Sequence, residues 1–223
     1  MLDLTHSTPR RGFLAKVAAS AAAIGLGSLV PRTLLSQPRS TPVAADPAYD
    51  AWLNRIAGQH KMVFDAPEPN GGMPVVWPRV WLDTTNGQYG TTDAQNRAVV
   101  VLRHGSIGFA LNDAMWAKYK LGETFAVTDG AAPATRNTWL KPLPLPLPGT
   151  GIEALVSKGV LFGACNVAIT VYSGAVAQGM KLDPAAVRAD WMANVVPGVQ
   201  VVPSGVLAVS GAQEKGCAMC FAG

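Results

Sequence analysis

The strongest constraint on the fold lies at Ala98-Val99-Val100-Val101-Leu102, five apolar residues in a row between Arg97 and Arg103. A strand with one face in water alternates apolar with polar side chains, whereas an unbroken run is what a strand needs when both faces are covered. Such strands belong to parallel sheets, because the crossover connections lay helices on each side. A second run, Val160 to Ala164, is bounded by Gly159 and closed by Cys165-Asn166, which sets a cysteine at the far end of a buried strand. The expected fold class is therefore α/β, with a mostly parallel sheet and helices on both faces.

The first 45 residues read differently. Arg10-Arg11-Gly12-Phe13-Leu14-Ala15-Lys16 is a twin-arginine pattern, followed by an Ala/Gly-rich apolar run from Val17 to Val30. That run is shorter than the roughly 20 residues a membrane-spanning helix needs. Residues 1–45 are accordingly expected to be a Tat signal peptide and connector, with cleavage after Val43-Ala44-Ala45, delivery to the periplasm and no stable membrane anchor after cleavage. Five of the 18 basic residues but one of the 14 acidic residues fall within this leader, leaving 13 of each. The near-neutral remainder carries no basic stripe, so nucleic acid is excluded as a partner class.

Along the rest of the chain, Asp46 to Ala57 suits a short amphipathic helix starting near Pro47 and lying on the main domain. Lys61 to Asp65 is expected to be a short extended piece, and Pro67 to Pro74 an irregular loop. Val75 to Leu82, rich in β-branched and aromatic residues, predicts a strand that begins properly after Pro78. Thr84 to Asn96 reads as a loop. After the Arg97–Arg103 strand, His104 to Leu111 leads into a helix ending around Gly122, and the alternating prolines of Leu143 to Pro148 favour a polyproline II surface crossing. Gly151 to Lys158 is a helix stopped by Gly159, and Thr170 to Gln178 a helix closed by Gly179. Asp183-Pro184 caps and starts another helix. Val199 to Val202 is a strand, Val206 to Lys215 a helix, and Cys217 to Ala222 a final strand.

From about Leu155 onward the chain resembles the DsrE/DsrF-like (YchN-like) family. The resemblance is carried by Gly159-Val160-Leu161-Phe162-Gly163-Ala164-Cys165-Asn166, by Val199-Gln200-Val201-Val202-Pro203-Ser204-Gly205-Val206, and by Gln213-Glu214-Lys215-Gly216 before a short apolar tail. It implies a three-layer α/β sandwich over residues 75–223, with 46–74 as an N-terminal extension that the small family members lack. It also implies a homo-oligomer and a sulfur carrier that holds a persulfide on the strand-end cysteine, here Cys165. The partner would be a sulfur donor or acceptor protein, or a small thiol.

The residues give an independent reason to single out Cys165. Open α/β sheets bind ligands beyond the carboxyl ends of their strands, and a helix N-terminus beside a cysteine favours the thiolate that attacks sulfur. The opposing reading is a buried structural cysteine. Asn166, in the same turn, is expected to offer its amide to a bound anion or to hold the turn. His104 ends the Ala98–Leu102 strand on the same edge, as a base toward Cys165, as a ligand, or as an uninvolved loop histidine.

Cys217-Ala218-Met219-Cys220 is a CxxC that follows a helix instead of opening one, so a thioredoxin-type site is not expected. It reads as a local disulfide, as a resolving pair for Cys165, or as two metal ligands completed from elsewhere. No phosphate-binding glycine loop and no serine elbow follows a strand. No motif predicts a cofactor. Two further classes stay open: a non-catalytic binding or assembly protein on the same fold, and a metal- or cofactor-binding protein loaded before export.

Overall fold

The computed structural model describes residues 46–141 and 147–223; residues 1–45, where a leader is expected, and most of the Leu143–Pro148 stretch lie outside the described residues. The chain opens with helix α1 (Pro47–Asn54) and strand β1 (His60–Ala66), then α2 (Met73–Tyr89) and β2 (Asn96–Leu102). A 3-10 segment at His104–Ala110 leads to α3 (Asp113–Tyr119) and α4 (Leu121–Thr124), followed by a small antiparallel hairpin of β3 (Thr128–Asp129) and β4 (Ala132–Pro133). Next come α5 (Ile152–Ser157), β5 (Leu161–Cys165), α6 (Asn166–Met180) and α7 (Pro184–Ala193). The chain closes with β6 (Val199–Val202), α8 (Gly205–Glu214) and β7 (Ala218–Phe221).

The main sheet has five strands in the order β6-β5-β2-β1-β7, and every pairing in it is parallel. The α/β class is thus realised as three layers. Alternation along β2 sorts the core: Ala98, Val100 and Leu102 face one apolar cluster, which includes Leu82, Phe162, Ile169 and Trp191, while Val99 and Val101 face a second with Trp52, Leu161 and Val209. Helices α2, α6 and α7 supply the first face, and α1 and α8 the second. Each fully buried Val or Leu contributes about 1.5–3 kcal/mol to holding those layers.

Connections set the order. From β1 the chain steps to β2, β5 and β6 in one direction over the first face. Then α8 carries it back over the second face to β7, beside β1. Reversing direction while changing face keeps each crossover right-handed. At the amino edge of the sheet, helix C-termini leave carbonyls unpaired, and basic side chains satisfy them: Lys61 donates to Lys215 O at the end of α8, and Arg97 to Ala57 O and Gly159 O.

Two expectations are corrected here. Val75 to Leu82 is not a strand but the first half of α2. Its buried residues Val75, Pro78, Leu82 and Thr85 recur every three or four positions, so helical periodicity overrides the β-branched composition. Pro78, in the second turn, removes only the donor that would have met Pro74 O. The same helix takes in Thr84 to Tyr89, expected as loop. Residues 46–74 are also not an appendage: β1 lies between β2 and β7, and Asp46–Gly223 is one compact unit. Lys61–Asp65 looks minor in sequence because it has only Met62, Val63 and Phe64 as apolar residues, yet Val63 and Phe64 are buried.

The other helices and the strands of the main sheet fall where the sequence places them, with boundaries shifted by a few residues, whereas the short β3–β4 hairpin has no counterpart in that reading. Asp46 caps α1 through hydrogen bonds from Ala48 N and Tyr49 N, and Asp183 caps α7 in the same way. Phe162 has no exposed surface at the centre of the first cluster. Phe162→Ala is expected to lower unfolding free energy by about 3–5 kcal/mol in urea titrations.

Asp93 anchors the turn before β2. Burial alone would push its carboxyl up, but hydrogen bonds from Lys158 and Asn86 and the charges of Lys158 and Arg79 bring it below the ordinary value. A depressed folded value means that this stabilisation is full above the unfolded value of about 3.9 and is lost as pH falls through the folded one. The stability gap between wild type and Asp93→Asn, followed by thermal melts from neutral pH downward, is expected to narrow only below about pH 4.

Candidate functional site

Connections leaving neighbouring strands on opposite faces open a crevice at the carboxyl edge of a sheet. Here β5 continues into α6 on the first face and β6 into α8 on the second, so the crevice falls between those two strand ends. A cleft of about 280 Å³ lies there. Cys165, Ala168, Val171 and Tyr172 line it from one side, Ser204, Gly205 and Val206 from the other, with Arg103 and His104 from the end of β2.

Cys165 is 6% exposed and serves as the N-cap of α6, where its Sγ accepts a hydrogen bond from Ala168 N at 3.3 Å. The thiol thus occupies the position that Ser or Asp usually fills, and a helix amide donates to its sulfur. Asn166 does not line the cleft. Its Oδ1 accepts from Arg188 Nη2 at 2.8 Å, while Arg188 Nε donates to Thr170 Oγ1 at 3.1 Å, so Asn166 ties α6 to α7. Its side-chain oxygen is thus engaged between two helices, away from the cleft.

His104 lines the same cleft as Cys165, and no hydrogen bond joins the two. Its Nδ1 lies 2.7 Å from Glu68 Oε1, and its ring meets Tyr172 edge-on with centroids 5.7 Å apart. The backbone at His104 is left-handed, φ +48°, a conformation that costs a non-glycine residue roughly 1–2 kcal/mol. Burial, and secondarily the charge of Glu68, raises the Tyr172 phenol above its ordinary value.

Arg103 is a site residue that sequence reasoning passes over. Its Nε and Nη2 grip both oxygens of Asp65, at 2.6 and 2.8 Å, which joins the ends of β1 and β2. Hydrogen bonding to Asp65 is the main cause that raises the guanidinium, against burial, with charge contributions from Asp65, Cys165 and Glu68. The side chain crosses the first turn of α8, where a Cβ at Gly205 would lie 2.6 Å from the Cβ of Arg103. Asp65 and Glu68 flank Ala66-Pro67 at the end of β1, the strand that looks minor in sequence; a carboxylate following a buried strand is the available signal.

The strand order separates the three cysteines. Three inter-strand steps lie between β5 and β7, about 14 Å at the spacing of sheet neighbours. Cys217 precedes β7 at the amino edge, whereas Cys165 ends β5 at the carboxyl edge. Cys217 and Cys220 are themselves three residues apart along an extended segment, about 10 Å, beyond the reach of a disulfide. All three thiols are free, and burial, opposed by the charge of Lys61, raises that of Cys217. The readings of the CxxC as a local disulfide and as a resolving pair for Cys165 within one chain are therefore corrected by geometry. Among the described residues, no group of three His, Cys, Asp or Glu side chains comes together that could hold a metal ion.

The molecule is thus an open, doubly wound α/β protein with a cysteine-lined crevice at its switch point. No family model matches the chain, and no curated protein matches it. Among solved structures it is similar to a protein of unknown function, MTH1491 from Methanobacterium thermoautotrophicum, at 15% identity and a TM-score of 0.40, covering 73% of this chain and 99% of that one.

After mild oxidation with diamide, peptide mapping of the monomer is expected to yield no Cys165–Cys217 or Cys165–Cys220 disulfide. Either crosslink in appreciable yield would contradict the strand order.

Proposed function

We propose that this protein is an exported DsrE-like sulfur carrier that accepts and passes on a sulfane sulfur at Cys165, working as a homo-oligomer with a donor or acceptor protein or a small thiol. The observation that supports this most is the position of the thiol: a strand-end cysteine at the switch-point crevice, with a helix amide directed at its sulfur. Loading is a displacement in which the Cys165 thiolate attacks the outer sulfur of a donor persulfide. The new S–S bond forms at Cys165, the donor S–S bond breaks, and the donor leaves as a thiolate. Unloading to an acceptor thiolate reverses the step.

The surroundings suit that chemistry. Valine and alanine side chains line the cleft, and Asp65 pairs with Arg103. His104 lies on the same wall, held by Glu68 through Nδ1, and is proposed to act as the base that takes the proton from the Cys165 thiol.

Purified protein incubated with a protein persulfide donor is expected to gain the mass of one sulfur atom on the Cys165 peptide, and the Cys165→Ser variant none. His104→Gln is expected to slow loading by about 100-fold while leaving the final extent unchanged. Absence of the adduct, together with a native Cys165 that resists alkylation, would overturn the reading.

A further inference from the structure

Among the described residues, five that are not glycine have left-handed backbone: Asn70, His104, Lys120, Ala126 and Lys181. Lys120 and Lys181 are the closing residues of α3 and α6, where that conformation is routine. The other three all lie on two adjoining concavities: His104 on the Cys165 cleft, and Asn70 and Ala126 on a larger cavity of about 490 Å³. Strained backbone of this kind costs about 1–3 kcal/mol per residue and clusters at ligand sites.

A common wall separates the two concavities. Glu68 lines the larger one and holds His104 of the smaller, while Phe125 lines the larger and packs on Tyr172 of the smaller, with ring centroids 5.2 Å apart. The larger cavity has its own construction. The Trp139 ring lies against Gly72, where a Cβ would come within 1.7 Å of it. Asn137 ties this segment together: its Oδ1 accepts from Trp139 N, and its buried amide donates to Phe109 O and Leu111 O. Three aromatic rings, from Phe109, Phe125 and Trp139, therefore stand in fixed positions around the space.

Among the described lining residues only Glu68 carries a formal charge. One oxygen of that carboxylate meets His104 Nδ1 at 2.7 Å. Its second oxygen lies against Gly105, where a Cβ would be 2.4 Å away, so the chain keeps that space open for it. Aromatic faces around a single carboxylate attract cations and repel anions.

We infer that this cavity is a second ligand site, separate from the Cys165 cleft, that takes a small organic cation of the substituted-ammonium class. The ammonium group lies against Trp139 and Phe125, with Glu68 as its counter-charge. The volume falls in the range of small-molecule sites. This reading does not depend on sulfur chemistry at Cys165.

The test compares choline with dimethylbutanol, its neutral isostere in which carbon replaces the ammonium nitrogen. Titrations of the full chain, followed by isothermal calorimetry and by tryptophan fluorescence, are expected to show choline binding about tenfold more tightly than the isostere. Glu68→Gln is expected to reduce choline affinity about tenfold and leave the isostere unchanged; Trp139→Leu is expected to weaken both. Far-UV circular dichroism establishes that the variants are folded, and the comparison of the two ligands on wild type needs no variant. Equal affinity for choline and the isostere, or no heat and no fluorescence change with either, would overturn the inference. Both outcomes are independent of persulfide loading at Cys165.

Discussion

Everything in this architecture follows from a strand that is covered on both faces. Val99, Val100, Val101 and Leu102 have no exposed surface, so β2 cannot sit at an edge and cannot be joined to its neighbours by tight turns. Parallel neighbours demand crossovers, and right-handed crossovers tie the direction of travel to the face used. Once α2, α6 and α7 fill one face, the return to β7 has to use the other. The place where the connections part company, beyond the ends of β5 and β6, is the place where the fold leaves a crevice. Cys165 stands there because β5 ends there.

The two edges of the sheet are managed by opposite electrostatic devices. At the amino edge, helix carbonyls are met by Lys61 and Arg97, long basic chains that bind backbone. At the carboxyl edge the helix amides of α6 and α8 are met by Cys165 and Ser204, short caps that leave room for a cleft. Asp65 closes on Arg103 there, so the strongest charge beside the thiol is paired and the lining stays apolar. The unusual backbone angles collect nearby, at Asn70, His104 and Ala126, all on the cavities, whereas the rest of the described chain takes unstrained conformations, closes a helix or uses glycine.

Much of this is legible in the amino-acid sequence. The apolar runs, the Asp-Pro helix starts and the glycine stops locate α1, α5, α7, α8, β2, β5, β6 and β7. The stretch that misleads is Val75–Leu82, where β-branched composition points one way and the spacing of Val75, Pro78 and Leu82 the other. The spacing wins because burial acts on a face, and a face is set by periodicity. At the site, Cys165 and His104 stand out because each closely follows an apolar run. Arg103, one residue earlier than His104, does not, because its partner Asp65 is 38 positions away and belongs to a strand with few apolar residues.

The sequence by itself determined the class of fold, the ends of the buried strands and hence the edge that carries Cys165. Those properties are local: a run of apolar residues states its own burial, and a cap states its own helix. Only the tertiary structure decided which strands are neighbours. That order set Cys217 and Cys220 far from Cys165, turned Asn166 toward Arg188, locked Arg103 to Asp65, and drew Glu68 to His104 between two cavities. Strand order is fixed by the joint packing of helices on two faces, a quantity that no single segment of the chain contains.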